Sequence, residues 1–188
     1  MKSRLYLIGG QSGAGKSTIA GEVLKKRNMI FIQTDLIRSA TRNASTGENP
    51  DKHIQQVTFK GVATYQSAND PKIKSSMSIE RNDMGEDDFA WLGVVGMIHA
   101  YDNAPNISMD ILVEGVAVKP IGVDKLKATL KNMEIKNPVF IGYSNGPDGP
   151  VATEILKKET ERFGFQYFDR ARHPLEEQNK AVMDYMFG

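Results

Sequence analysis

The chain has 188 residues, of which 40% are hydrophobic and 25% are charged, and its formal net charge is +1. This length and apolar content predict one domain with a sizeable core, and the near-neutral charge gives no general attraction to nucleic acid or to a membrane. The absence of cysteine excludes disulfides and thiolate metal sites. The sequence has no signal-peptide pattern at its start, and its longest apolar stretch, around 89–98, is too short to span a bilayer. We therefore expect a soluble cytoplasmic protein.

The first predicted strand, over 4–9, leads into Gly-Gly-Gln-Ser-Gly-Ala-Gly-Lys-Ser-Thr at 9–18 and then into a predicted helix over 16–27. The pattern G-x-x-x-x-G-K-[ST] between a strand and a helix is typical of a phosphate-binding loop. Its glycines let successive backbone N–H groups face a polyphosphate, and the helix adds its positive end at the same place. The predicted nucleotide-binding residues are Gly10, Gln11, Ser12, Gly13, Ala14, Gly15, Lys16, Ser17 and Thr18.

Three side chains of this loop have predicted roles. Lys16 is placed to reach β- and γ-phosphate oxygens, so we predict that it is catalytic. The Ser17 hydroxyl is a predicted ligand of a magnesium ion that bridges those phosphates, and Thr18 is placed to contact the α-phosphate. The alternative interpretation of the whole stretch is a glycine-rich turn that binds no ligand.

A second short strand, predicted over 29–33, ends just before Asp35 and Arg38. Ligands of open parallel sheets collect outside the carboxyl ends of the strands. We therefore predict that Asp35 orients or deprotonates an attacking hydroxyl, and the alternative is an N-cap for a helix that begins at Leu36. Arg38 is predicted to bind an anionic group on the acceptor through its forked donors, and the alternative is a solvated surface arginine.

Residues 41–85 differ in character from the rest of the chain. They are polar and rich in turn residues, with a predicted helix after Pro50 and a basic stretch over 72–83. Because they fall between the second and third strands, we interpret them as a cap over the acceptor, inserted into a single domain of residues 1–188. A helix from Asp87 or Asp88 to about Asp102 follows this insertion.

The third predicted strand, over 109–113, ends at Glu114. If this strand runs parallel to the first, Glu114 lies at the nucleotide edge of the sheet, and we predict that it binds magnesium and orients the substrate. The alternative is that Glu114 caps the turn that follows.

The remaining predicted elements alternate as in an α/β sheet. They are a helix over 124–133, a strand over 138–143, a turn cluster over 144–150, a helix over 151–163, a strand over 165–168 and a last helix over 174–186. Arg170 and Arg172 lie in the loop before the last helix, where they are predicted to stack on the base or to touch a phosphate. The alternative is that both are ordinary surface residues.

Three stretches together resemble the P-loop small-molecule kinases, namely residues 7–18, 34–38 and 111–116. The likeness is greatest to 2-phosphoglycerate kinase-like proteins, with chloramphenicol phosphotransferases and zeta-toxin-type kinases as wider relatives. The resemblance implies a P-loop three-layer α/β sandwich with a five-stranded parallel sheet of order 2-3-1-4-5, the cofactors ATP and Mg²⁺, and phosphoryl transfer to a hydroxyl. It also implies that Asp35 matches the acidic residue after the second strand. Many relatives carry paired arginines after the fourth strand, whereas residues 144–150 contain none, and Lys157, Lys158 and Arg162 are weaker substitutes.

The function that we expect is ATP-dependent transfer of the γ-phosphoryl group to a hydroxyl of a small, anionic metabolite. The alternative is a nucleotide-binding switch or an ATP hydrolase that regulates a partner. An Asn-Lys-x-Asp motif is absent from the sequence, which argues against an ordinary GTPase. A polynucleotide kinase is a weaker third choice, because the sequence has no obvious basic and aromatic groove. The sequence does not identify a protein partner.

Overall fold

The structure is a computed structural model that describes residues 2–45, 86–104, 108–172 and 174–188. The chain divides into two compact units, one of residues 1–33 with 97–188 and the other of residues 34–96. Most of the 41–85 insertion, with its predicted helix and basic stretch, lies outside the described residues. Its interpretation as a cap within a single domain therefore stays a prediction.

The first unit contains a parallel sheet. Its strands are β1 Arg4–Gly10, β2 Ile30–Gln33, β3 Ile111–Glu114, β4 Glu134–Ile135, β5 Val139–Gly142 and β6 Gln166–Asp169. They pair in the order β2-β3-β1-β5-β6. Counted without the short strand β4, this order matches the predicted 2-3-1-4-5 arrangement. Strand β4 was not predicted and pairs with the beginning of β1.

Helices follow most strands, as the alternation in the sequence predicts. They are α1 Lys16–Lys26, α2 Thr34–Ser45, α3 Glu86–Asp102, α4 Pro120–Lys127, α5 Gly149–Arg162 and α6 Leu175–Phe187, with a 3-10 helix over Arg170–Arg172. The prediction of a helix over 124–133 is wrong. The helix begins at Pro120, whose fixed φ suits a first helical position, and it ends at Lys127. Among the described residues, no helix is both long enough and apolar enough to cross a bilayer.

Strand β1 lies in the middle of the sheet and at the centre of the core. Its residues 5–8 are at most 1% exposed, as expected for a parallel strand that is covered on both faces. Tyr6 and Ile8 belong to a buried cluster that also includes Ile19 of α1 and Met186 of α6. The strand that leads into the phosphate loop is therefore held by neighbours on every side.

The second unit includes α2 and most of α3. Gly93 of α3 lets the two helices approach closely, since a Cβ at this position would lie 3.3 Å from Cγ2 of Ile37 in α2. The guanidinium of Arg38 donates a hydrogen bond of 3.0 Å to the Asp87 carboxylate, which joins the two helices a second time.

In the first unit, the carboxylate of Asp102 holds the turn that precedes β4. It accepts hydrogen bonds from the backbone N–H groups of Lys131, Asn132 and Met133 at 2.7–2.9 Å, and Asp102 is only 3% exposed. Burial acts to raise the pKa of Asp102, but the three backbone donors and the neighbouring His99 outweigh it, so the pKa lies below its ordinary value.

Replacement of this carboxylate is expected to destabilise the protein in a pH-dependent way. Because the folded-state pKa of Asp102 is depressed, its stabilisation is present above the unfolded-state pKa of about 3.9 and is lost as the pH falls. Asp102→Ala leaves buried backbone donors unsatisfied and should lower the free energy of unfolding by about 2 kcal/mol at pH 7. Urea unfolding at pH 7 and at about pH 3, which is below the unfolded-state pKa, would measure the difference in the free energy of unfolding between variant and wild type. A difference that does not narrow at the lower pH would contradict this account.

Candidate active site

The loop between β1 and α1 has the backbone that the glycine pattern predicts. Gly10, Gly13 and Gly15 have φ values of 132°, 72° and 86°, which residues with a Cβ adopt only with strain. The Ala14 N–H donates to the Gln11 carbonyl at 3.3 Å, so the chain turns back on itself before α1 begins at Lys16. The predicted strand, loop and helix are thus present in the predicted order.

Lys16 lies within the loop and is 6% exposed. Its Nζ donates a hydrogen bond of 2.6 Å to the carbonyl oxygen of Gln11, five residues earlier in the same loop. The ammonium group therefore lies across the loop, where it adds a positive charge to the backbone donors.

Ser17 and Glu114 are brought together across 97 residues of sequence. The Ser17 hydroxyl donates a hydrogen bond of 3.0 Å to Oε1 of Glu114, which is 1% exposed. In the sheet register, Glu114 pairs with Ile8 of β1 and with Gln33 of β2, so the predicted strand direction is correct. A hydroxyl beside a carboxylate offers the oxygen ligands that Mg²⁺ prefers. Within the described ranges, no three His, Cys, Asp or Glu side chains gather into a metal site.

Gln11 connects the loop to strand β5 and helix α5. Its Oε1 accepts hydrogen bonds from the Tyr143 N–H at 2.6 Å and from the Thr153 hydroxyl at 2.7 Å. Its Nε2 donates to the Gly149 carbonyl at 3.3 Å. Gln11 is 6% exposed, so its amide is a buried polar group with both ends satisfied.

Residues 143–149 run beside the first half of the phosphate loop. The Ser12 N–H donates to Oδ2 of Asp148 at 2.9 Å, so a carboxylate lies at the edge of the loop. A Cβ on Gly13 would lie 3.7 Å from both Tyr143 and Pro147. The motif contains no signal for Asp148, Tyr143 or Thr153, because these contacts depend on how β5 pairs with β1.

The two arginines that follow β6 have different surroundings. A Cβ on Gly15 would lie 2.6 Å from Nη1 of Arg170, and the Arg170 guanidinium lies 5.3 Å from the centre of the Tyr143 ring. Arg172 instead pairs with Asp169 at 3.2 Å, and its side chain is 70% exposed. Of the two candidates, Arg170 is therefore the one whose guanidinium lies beside Gly15 of the phosphate loop.

Asp35 and Arg38 lie in the second unit. Asp35 is the second residue of α2, which begins at Thr34, so the alternative in which Asp35 is the N-cap of a helix from Leu36 is wrong. Its Oδ1 lies 3.3 Å from the Arg38 guanidinium, which also reaches Asp87 at 3.0 Å. Arg38 is thus only part-exposed and shared between two carboxylates, and is not the solvated arginine of the alternative interpretation.

Comparison with known proteins agrees with the motifs. The sequence profile of the zeta toxin family matches residues 2–69. Dephospho-CoA kinase from Campylobacter jejuni superposes with a TM-score of 0.51 at 11% identity, over 98% of this chain and 95% of that chain. An unliganded sugar kinase from Janibacter sp. HTCC2649 gives a TM-score of 0.47 at 15% identity, over 97% of this chain and 94% of that chain. A structure from the PezAT toxin-antitoxin system of Streptococcus pneumoniae gives a TM-score of 0.44 at 17% identity, over 100% of this chain and 79% of that chain.

No curated protein matches the sequence significantly. The chain nevertheless shares the fold of dephospho-CoA kinase, and the resemblance to zeta-toxin-type proteins predicted from the motifs is confirmed over residues 2–69.

The buried amide of Gln11 provides a test of how the loop is held. Gln11→Leu removes the acceptor for the Tyr143 N–H and the Thr153 hydroxyl, and it should lower the free energy of unfolding by about 2 kcal/mol. Thr153→Val is the matched control, because it removes one donor and leaves the Tyr143 bond, so it should cost only about 1 kcal/mol. Urea unfolding measures both. Equal losses in the two variants would show that neither the Tyr143 bond nor the Gly149 bond of Gln11 contributes to the free energy of unfolding.

Proposed function

We propose that the protein is an ATP-dependent kinase that transfers the γ-phosphoryl group to a hydroxyl of a small molecule. The observation that carries the proposal is the arrangement of Lys16, Ser17 and Glu114 at the carboxyl edge of the sheet. A buried ammonium, a row of backbone donors and a hydroxyl beside a carboxylate are the groups that a magnesium-bound nucleotide requires. The P-loop kinase fold supports this assignment.

Each residue of the loop has a defined part in the proposed reaction. Mg²⁺, when bound, would neutralise charge on the phosphates. Ser17 and Glu114 would hold it through their oxygens, with Glu114 also orienting the substrate. Lys16 would exchange its bond to the Gln11 carbonyl for phosphate oxygens, and it would stabilise the charge that develops on the transferring group. The phosphate loop supplies the remaining N–H donors.

We propose Asp35 as the group that accepts the proton of the acceptor hydroxyl. Its support is its position in the chain, two residues after the carboxyl end of β2. The Arg38 guanidinium lies 3.3 Å from one oxygen of this carboxylate. The other prediction for Arg38, that it binds an anionic group of the acceptor, requires that group to compete with the carboxylates of Asp35 and Asp87.

Phosphate-transfer screening is the direct test of the proposed activity. The purified protein is incubated with magnesium and ATP against a panel of hydroxyl metabolites, both neutral and anionic, including 2-phosphoglycerate. We expect ADP release that depends on one class of acceptor, with a phosphorylated product visible by mass spectrometry. Hydrolysis of ATP at one rate with every acceptor, or nucleotide binding without turnover, would favour the alternative of a hydrolase or a nucleotide-binding switch.

Replacement of Asp35 separates proton transfer from nucleotide binding. Asp35→Asn keeps the side-chain size but removes the base, so kcat should fall by about 100-fold or more while the Kd for ATP stays unchanged. Lys16→Ala should weaken ATP binding and turnover together. Calorimetric titration with ATP and initial rates with the acceptor found in the screen measure the two effects. Unchanged turnover in Asp35→Asn would remove Asp35 from the reaction.

A further inference from the structure

The guanidinium of Arg170 points at the phosphate loop from the opposite end of the sequence. Arg170 begins the 3-10 helix that follows β6. A Cβ on Gly15 would lie 2.6 Å from Nη1 of Arg170 but 3.9 Å from its Cζ, so a terminal nitrogen, not the plane of the guanidinium, is directed at the loop. The Tyr143 ring lies 5.3 Å from Cζ and flanks the same guanidinium.

The charge of Arg170 has no counter-ion among the residues that the structure describes. Its side chain is part-buried, yet no described carboxylate lies within ion-pair distance of it. Its neighbour Arg172 pairs with Asp169, and Arg38 pairs with Asp35 and Asp87. A part-buried cation without a counter-ion is costly, and this one lies beside the positive end of α1 and the N–H groups of the loop. These charges have the same sign at one place, and an anion there would neutralise them.

We propose that Arg170 binds the phosphate chain of the nucleotide and supplies the positive charge for which residues 144–150 contain no arginine. This inference rests on the proposed nucleotide site. It separates two roles that the sequence leaves open, because a nitrogen directed at Gly15 reaches phosphates bound by the loop, whereas base stacking requires the guanidinium plane. It also excludes Arg172 from the same role, since that guanidinium is held by Asp169.

The proposal gives Gly15 a second constraint besides its φ of 86°. Any side chain at position 15 would occupy the space that Nη1 of Arg170 uses to approach the loop. The glycine before Lys16 is therefore needed for the backbone conformation and also for the access of a cation that is 155 residues away in sequence.

Binding of a phosphate chain without a base tests the proposal. The probes are tripolyphosphate, ADP and adenosine, each titrated by calorimetry into wild type and Arg170→Gln. Loss of charge-assisted hydrogen bonds to phosphate should weaken tripolyphosphate and ADP by about tenfold or more, and it should leave adenosine unchanged. Arg170→Lys keeps the charge but not the fork, so it should recover part of the affinity. The deficit of Arg170→Gln should shrink at high salt.

Arg27→Gln is the matched control, because Arg27 follows the C-terminal end of α1, which is the end away from the phosphate loop, and lies over the Phe187 ring at 3.9 Å. It removes the same charge and should change each affinity by less than about twofold. Unfolding midpoints measure whether the variants fold. If Arg170→Gln does not fold, the comparison of wild type with Arg170→Lys provides the test. Arg170 has no phosphate role if tripolyphosphate binds Arg170→Gln as it binds wild type. In that case, weaker ADP and adenosine binding would assign Arg170 to the base.

Failure of this inference differs from failure of the proposed activity. If no acceptor is phosphorylated but Arg170→Gln loses tripolyphosphate affinity, the kinase assignment is contradicted and the role of Arg170 in phosphate binding is supported. If an acceptor is phosphorylated and tripolyphosphate affinity is unchanged in Arg170→Gln, the kinase assignment is supported and Arg170 does not bind the phosphate chain. A wild type that binds neither ADP nor tripolyphosphate would overturn both.

Discussion

The position of β1 in the sheet is the constraint on which the candidate site depends. This strand pairs with β3 on one side and with β5 on the other, in registers that join Ile8 to Glu114 and Gly10 to Ile141. The first pairing brings Glu114 to the hydroxyl of Ser17, and the second brings the backbone of β5 to Gln11. A shift of either register would therefore separate the phosphate loop from its carboxylate or from its anchor.

The charges around the phosphate loop are arranged unevenly. Positive charge at the loop comes from Lys16, from the positive end of α1 and from Arg170. Negative charge comes from Asp148, whose carboxylate accepts a hydrogen bond from the Ser12 N–H at the edge of the loop. Residues 144–150 provide this carboxylate and contain no arginine. In our proposal the missing positive charge comes from the segment after β6. Both Lys16 and Arg170 belong to the first unit.

The groups proposed to bind the nucleotide and the group proposed to handle the proton lie in different units. The chain passes directly from β2 of the first unit into α2 of the second, and Asp35 follows that junction by two residues. Among the described residues of the second unit, Asp35, Arg38 and Asp87 form a cluster of two carboxylates around one guanidinium.

The sequence by itself determined the phosphate loop, the strand order and the edge of the sheet where Glu114 lies. These follow from local patterns, since the motif fixes its own backbone and apolar runs predict buried parallel strands. It did not determine the start of α4, the strand β4 or the contacts of Gln11, Asp148 and Arg170. Those contacts join residues that are more than 130 positions apart, and only the pairing of β5 and β6 beside β1 brings them together.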